Sequence, residues 1–179
     1  NLMKNIIKIL LVLIVSVTST VNELQAQNYE IMLGEFSLEE LKATKNSTWF
    51  LKKNKSYNPN NRILNQITSL ENLDELNIEI YLGTWCPDSR RELPRLVKIL
   101  DLINFDKDQL TMIGVTRSKK VPEITKEKAK QLNIINVPTI IVYKDGKELN
   151  RFVEFAVETL EKDLFKIMAE RDYKHSYDF

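Results

Sequence analysis

"YLGTWCPDSRREL", Tyr81 to Leu93, is the stretch whose reading decides the fold. It leaves an apolar alternation, passes a Gly83-Thr84 turn and enters a segment that opens on Pro87 and goes on with helical spacing. Cys86 is the only cysteine in 179 residues, and Ser89 stands three places after it. A second cysteine at that place would read as a dithiol redox site; here a hydroxyl replaces the second sulfur.

Working outward, Ile78, Ile80 and Leu82 alternate with Glu79 and Tyr81, as in a strand that ends at the turn. The helix that starts near Pro87 carries Leu93, Leu96, Val97, Leu100 and Ile103 on one face. Leu110 to Val115 reads as a second strand and Pro122 to Leu132 as a charged helix. Thr139 to Tyr143 and Glu148 to Phe155 form a hairpin about Asp145-Gly146, a dipeptide suited to positive φ. Val157 to Ala169 closes the pattern as an amphipathic helix with Leu160, Leu164, Ile167 and Met168 inward, and the last residues, with the lone His175, read as a loose tail. The order predicts an α/β fold: a mixed central sheet flanked by helices, with the hairpin closing one edge antiparallel.

The chain divides into three parts. Residues 1–26 have the layout of a secretory signal peptide: Lys4 and Lys8, an apolar run from Ile9 to Val17, then a polar stretch to Ala26. The expected location is therefore exported, periplasmic or extracellular. Residues 27–75 form an N-terminal extension packed on the domain of residues 76–179. In the extension, Ser37-Leu38-Glu39-Glu40 is a capping-box pattern for a helix to about Thr44. Thr48 to Leu51 reads as a short strand, and Asn58-Pro59 as an N-cap and first-turn proline for a helix through Ile67. Asn46-Ser47-Thr48 matches a glycosylation sequon, a tripeptide too common to carry weight.

Once residues 1–26 are set aside, basic and acidic side chains balance, so there is no electrostatic footprint for nucleic acid or an anionic membrane. One cysteine allows no internal disulfide, and stability must come from packing. One Cys and one distant His make no zinc site, and a P-loop, a dinucleotide fingerprint and a serine-hydrolase elbow are all absent. No metal or cofactor is called for.

The element order, together with Trp85-Cys86 at a helix start, Pro94 eight residues beyond Cys86, and Val137-Pro138-Thr139 ahead of an apolar strand, resembles the thioredoxin-like superfamily. The subgroup it looks most like carries Trp-Cys-Pro-Asp-Cys followed by arginines; this chain has a monothiol Cys-x-x-Ser site instead. The resemblance covers residues 76 to 171. It implies a thioredoxin fold with Pro94 bending the active-site helix and Val137-Pro138-Thr139 as the cis-proline loop. It also implies that Trp85, Pro87, Val137, Pro138 and Thr139 meet an extended client across Cys86. Members proper of the thioredoxin family commonly bury an aspartate six residues before the cysteine; Ile80 stands there, which leaves Glu79 or Asp88 as proton carriers.

The catalytic pair would be Cys86 and Ser89. A helix N-terminus favours the thiolate, Ser89 is placed to donate toward it, and Arg90 and Arg91 add positive charge that Asp88 opposes. A mixed disulfide on Cys86 has no internal sulfur to resolve it, and a hydroxyl does not substitute. What remains is monothiol thiol-disulfide exchange with thiol- or disulfide-bearing proteins or small thiols. The alternatives are a binding module that retains thiol clients or forms a Cys86-linked homodimer, and an interaction domain acting through residues 27–75. Taken alone, Trp85 is equally a core aromatic, Pro138 a strand-initiating proline and Cys86 a small buried hydrophobe.

Overall fold

The structure, a computed structural model, describes residues 29–178; the segment at 1–26 expected to be a secretory signal lies outside them. Its elements are β1 (Gly34–Glu35), α1 (Leu38–Ala43), α2 (Ser47–Ser56), α3 (Asn61–Thr68), β2 (Leu76–Leu82), α4 (Pro87–Leu102), β3 (Leu110–Gly114), α5 (Lys126–Leu132), β4 (Thr139–Lys144), β5 (Lys147–Val153) and α6 (Leu160–Met168). The strands make one five-stranded mixed sheet in the order β1-β3-β2-β4-β5.

β2 is the middle strand. It pairs parallel with β3, Ile80 opposite Met112, and antiparallel with β4, Ile80 opposite Ile140. Both edges being occupied, its side chains go to two covered faces. Leu76, Ile78, Ile80 and Leu82 are fully buried in the larger core, with Leu93, Leu96 and Ile99 of α4 and Leu164 and Ile167 of α6. Tyr81 faces the other way, into a smaller cluster with Cys86, Ile113, Val115, Leu132, Val137 and Ile141. The β4–β5 hairpin turns on Asp145 and Gly146, both at positive φ (51° and 72°), as the dipeptide predicts.

The extension shares the core of residues 76–178. β1 pairs antiparallel with β3 at the sheet edge. Gly114 is required at that seam, because a Cβ on it would stand 2.1 Å from the Met32 carbonyl oxygen. Phe36, Leu41, Phe50, Leu64 and Ile67 are all buried in the larger core. The α1 capping box forms as read: Glu40 N–H donates to Ser37 Oγ (3.1 Å) and Ser37 N–H to Glu40 Oε2 (2.7 Å). Asn46 is fully buried, its Oδ1 accepting from Glu30 N–H and Trp49 Nε1–H and its Nδ2 donating to Glu30 O, so the sequon is closed in the folded chain.

Four readings of an element's type or bounds change. Thr48 to Leu51 is helical, within α2, since Phe50 is buried while Leu51 is exposed; contact with α4 overrides the strand preference of an aromatic run. Asn60, not Asn58, caps α3, its Oδ1 accepting from the amides of Arg62 and Ile63. The charged helix begins only at Lys126, because Glu123 sits at φ 58° outside the helical region and Thr125 supplies the cap. The closing helix begins at Leu160, since the amides of Val157 and Glu158 donate to the buried Asp163 carboxylate instead of to helical carbonyls.

The C-terminal residues are docked. Tyr173 is buried with its hydroxyl on Asp163 Oδ2 (3.2 Å), Asn150 Nδ2 donates to its carbonyl, and Ser176 Oγ donates to Val153 O (2.6 Å).

Because α2 is part of the core, Phe50→Ala should lower the unfolding free energy by about 3–5 kcal/mol in a chemical denaturation series; a loss below about 1 kcal/mol would show that α2 packs loosely. Glu161 ties the extension to α6: its Oε2 accepts from Tyr57 O–H (2.6 Å) and its Oε1 from Asn60 N–H (3.0 Å). Burial pushes its carboxyl up, but these donors outweigh it and hold it below the usual carboxylate value of 4.5. The tie is thus present above that value and lost as pH falls through the lower, folded value. In Glu161→Gln the stability measured by urea denaturation from pH 6 downward should fall less steeply than in the parent.

Candidate functional site

The site is made where β2 leaves the sheet. Cys86 N–H donates back to Gly83 O (2.8 Å), closing a tight turn, and Arg90 N–H donates to Cys86 O (3.0 Å), the first bond of α4. Cys86 is therefore the N-cap, in extended conformation (φ −85°, ψ 127°), with Pro87 as the first helical residue. Its side chain points across to the β4 entry loop, where Sγ–H donates to Val137 O at 3.4 Å. The Val137–Pro138 peptide is cis. Cys86 is 7% exposed, so its sulfur is largely enclosed.

The other predicted residues divide by what they touch. Ser89 is fully buried, and its Oγ accepts from Gly83 N–H (3.1 Å); the hydroxyl fastens the turn and makes no hydrogen bond to Cys86. Thr139 is likewise fully buried, its hydroxyl donating to Asn136 O (2.7 Å), so it holds the loop in shape and offers a client no side-chain surface. Val137 and Pro138 are buried beside the sulfur, and Pro87 is exposed. Trp85 is half-buried, its Nε1–H on Val115 O (3.1 Å), and it lies against the same apolar cluster as Cys86. Gly83 is the residue that lets the indole sit there: a Cβ on it would come within 2.4 Å of Trp85 Cε2.

Charge around the turn is arranged in pairs. Asp88 is held by Arg91 (2.6 Å), so its carboxylate is directed along the helix surface. Arg91 also meets Glu92 (2.5 Å), and Arg95 meets the same Glu92 oxygen (3.2 Å). Glu92 is 1% exposed and its Oε2 has no hydrogen-bond partner. Arg90 has its guanidinium over the Tyr29 ring at 4.8 Å, and Arg117 spans Tyr29 and Trp85, each at 5.9 Å. Glu79 accepts from the Tyr81 hydroxyl (2.7 Å). No carboxylate among the described residues hydrogen-bonds the sulfur, so neither Glu79 nor Asp88 reaches it directly. The Tyr81 hydroxyl is pushed well up by burial and then by Glu79.

Three residues of this neighbourhood carried no signal in the sequence. Tyr29 and Arg117 meet from 88 positions apart, joined by a bond from Nη2 to the phenol oxygen (2.6 Å). Tyr177, in the supposed loose tail, hydrogen-bonds Glu154 and packs on Phe155 at 6.0 Å, beside the cis-peptide loop that Glu154 N–H closes onto Pro138 O. Among the described residues no group of three His, Cys, Asp or Glu side chains is arranged to hold a metal ion, and no helix is long and apolar enough to cross a membrane.

The fold and site define a mixed α/β protein with a lone cysteine at a strand-to-helix turn. No protein-family model and no curated protein matches the chain. Among solved structures, a protein of unknown function from Pseudomonas aeruginosa is similar with a TM-score of 0.43 and 18% identity, over 69% of each chain. An HIV epitope-scaffold is similar with a TM-score of 0.41 and 18% identity, over 60% of this chain and 61% of that one. Chains so distant assign neither a family nor an activity.

Gly83→Ala should force the indole off its place. The expected outcome is a red shift of Trp fluorescence as the Val115 contact is lost, with a stability loss of about 1–3 kcal/mol; an unchanged emission spectrum would mean that the turn absorbs the Cβ.

Proposed function

We propose that the chain is an exported thioredoxin-fold protein in which Cys86 carries out monothiol thiol-disulfide exchange. The observation that carries this reading is the placing of Cys86: N-cap of a 16-residue helix, its carbonyl accepting the first helical hydrogen bond, with its sulfur against the Val137 carbonyl of the β4 entry loop. The species that attacks in such an exchange is the thiolate. Leaving the Val137 carbonyl frees that backbone group for an extended client strand, which would lie beside Pro138 with Trp85 and Pro87 at its flanks.

The step is nucleophilic. The Cys86 thiolate attacks the nearer sulfur of a client disulfide, the old S–S bond breaks with its electron pair on the departing sulfur, and that sulfur takes a proton from water. A thiol from solution then attacks the mixed disulfide and releases Cys86, since Ser89 cannot. Ser89 acts as a positioning residue, holding Gly83 and hence the turn.

A second reading is favoured by the burial of the sulfur: a thioredoxin-fold binding module that retains thiol-bearing partners without turnover. The two separate on one measurement. Exchange predicts that purified protein forms a mixed disulfide with bis(2-hydroxyethyl) disulfide, seen by mass spectrometry, and releases it when excess small thiol is added, with both steps lost in Cys86→Ser. A mixed disulfide that forms but resists excess thiol supports the retaining module, and no adduct at all excludes exchange. Ser89→Cys should add insulin disulfide reductase activity that the parent lacks.

A further inference from the structure

Beside the site, α2 of the extension lies along the first turns of α4, leaving a cleft of about 450 Å³ lined by Lys53, Ser56, Tyr57, Pro87, Arg91 and Arg95. Three of the six are cations and none is an acid. The cleft begins at Pro87, the residue next to Cys86. We infer that it is an oxyanion-binding subsite for the client of Cys86, one that selects disulfides and thiols carrying a carboxylate or phosphoryl group close to the reacting sulfur. This rests on the exchange reading proposed above.

The cations are held in place rather than spread in solvent. Asn54 Nδ2 donates to Pro94 O (3.0 Å), pinning α2 on α4 at the residue that has no amide hydrogen of its own. Arg95 lies over the Tyr57 ring (5.1 Å), and Tyr57 is tied by its hydroxyl to Glu161 (2.6 Å). Arg91 is bound to Asp88 and to one oxygen of the buried Glu92, and Arg95 to that same oxygen, which together use three of their ten N–H donors and leave the others for a ligand. A planar fork suits a carboxylate or a phosphoryl group.

The local charge does not close. Lys53, Arg90, Arg91 and Arg95 outnumber the carboxylates near them, Asp88, Glu92 and, behind the Tyr57 hydroxyl, Glu161, and none of the ion pairs among the described residues includes Lys53. Burial, and then the charges of Arg90, Arg91 and Arg95, hold the Lys53 ammonium below its ordinary value in spite of Glu92. An anion seated between Lys53 and the two guanidinium groups relieves that repulsion and offsets the partial desolvation of the three cations. Because Pro87 joins the cleft to Cys86, such an anion would lie on the α2 side of the reacting sulfur.

The test is the charge preference of Cys86. Its rates of mixed-disulfide formation are measured with three small disulfides, neutral bis(2-hydroxyethyl) disulfide, anionic 3,3′-dithiodipropionate and cationic cystamine, each divided by its rate with free 2-mercaptoethanol. The parent should favour the anionic over the neutral compound by about fivefold, a preference that shrinks with added salt. Lys53→Glu, a half-buried position whose exchange breaks no ion pair, should reverse the order so that cystamine leads. Normalised rates within twofold of one another in both proteins would overturn the subsite. Failure of the exchange reading shows separately, as no adduct with the neutral compound. In that event the cleft is read in Cys86→Ser by NMR of arginine side chains titrated with glutarate and with inorganic phosphate. Saturable shifts with either support the subsite, the tighter of the two naming the carboxylate or phosphoryl source, and shifts with neither overturn it.

Discussion

Pairing on both edges of β2 is the constraint from which the rest of the structure follows. With β3 on one side and β4 on the other, the strand is paired on both edges from Ile78 to Tyr81 and both of its faces must be covered. Leu76, Ile78, Ile80 and Leu82 call for α4 and α6 on one face; Tyr81, with Ile113 and Ile141, makes the second cluster on the other. A strand held this firmly ends at a fixed point. The chain has three residues, Gly83 to Trp85, in which to turn before Cys86 caps α4.

Those three residues explain the small side chains around the sulfur. The turn closes with the Cys86 amide on Gly83 O, and the Gly83 amide is taken by Ser89 from the first turn of the helix. Trp85 folds back over the Gly83 α-carbon, where no Cβ fits. A hydroxyl at position 89 is thus an architectural group as much as a missing sulfur. It satisfies a buried amide that would otherwise be left without a partner.

The N-terminal extension contributes to the site as well as to the core. It adds β1 to the sheet edge, Phe50 and Ile67 to the interior, and Lys53 to the cationic wall beside Pro87. Its first described residue, Tyr29, lies between Arg90 and Arg117. The ring separates two arginines that would otherwise repel one another: Arg90 lies over it and Arg117 donates to its hydroxyl. The C-terminal residues close the opposite flank through Tyr173, Ser176 and Tyr177.

The sequence by itself determined the order of strands and helices from Leu76 onward, the hairpin at Asp145-Gly146, the α1 capping box and the position of Cys86 at a helix start. These are local matters: apolar period, positive-φ dipeptides and cap chemistry act over a few residues and do not need the rest of the chain. Tertiary structure alone decided that Thr48 to Leu51 is helix, since the burial of Phe50 depends on α4, and that α5 and α6 start late, since Glu123 leaves the helical region and Asp163 captures the amides before Thr159. It also decided where the side chains of the site point. Ser89 turns to Gly83 and Thr139 to Asn136 because each is enclosed next to an unpaired backbone group, and Lys53, Arg91 and Arg95 face one cleft because two helices distant in sequence pack together. Spacing along a chain fixes which face of an element a residue occupies; what that face meets is set by partners that only the folded chain supplies.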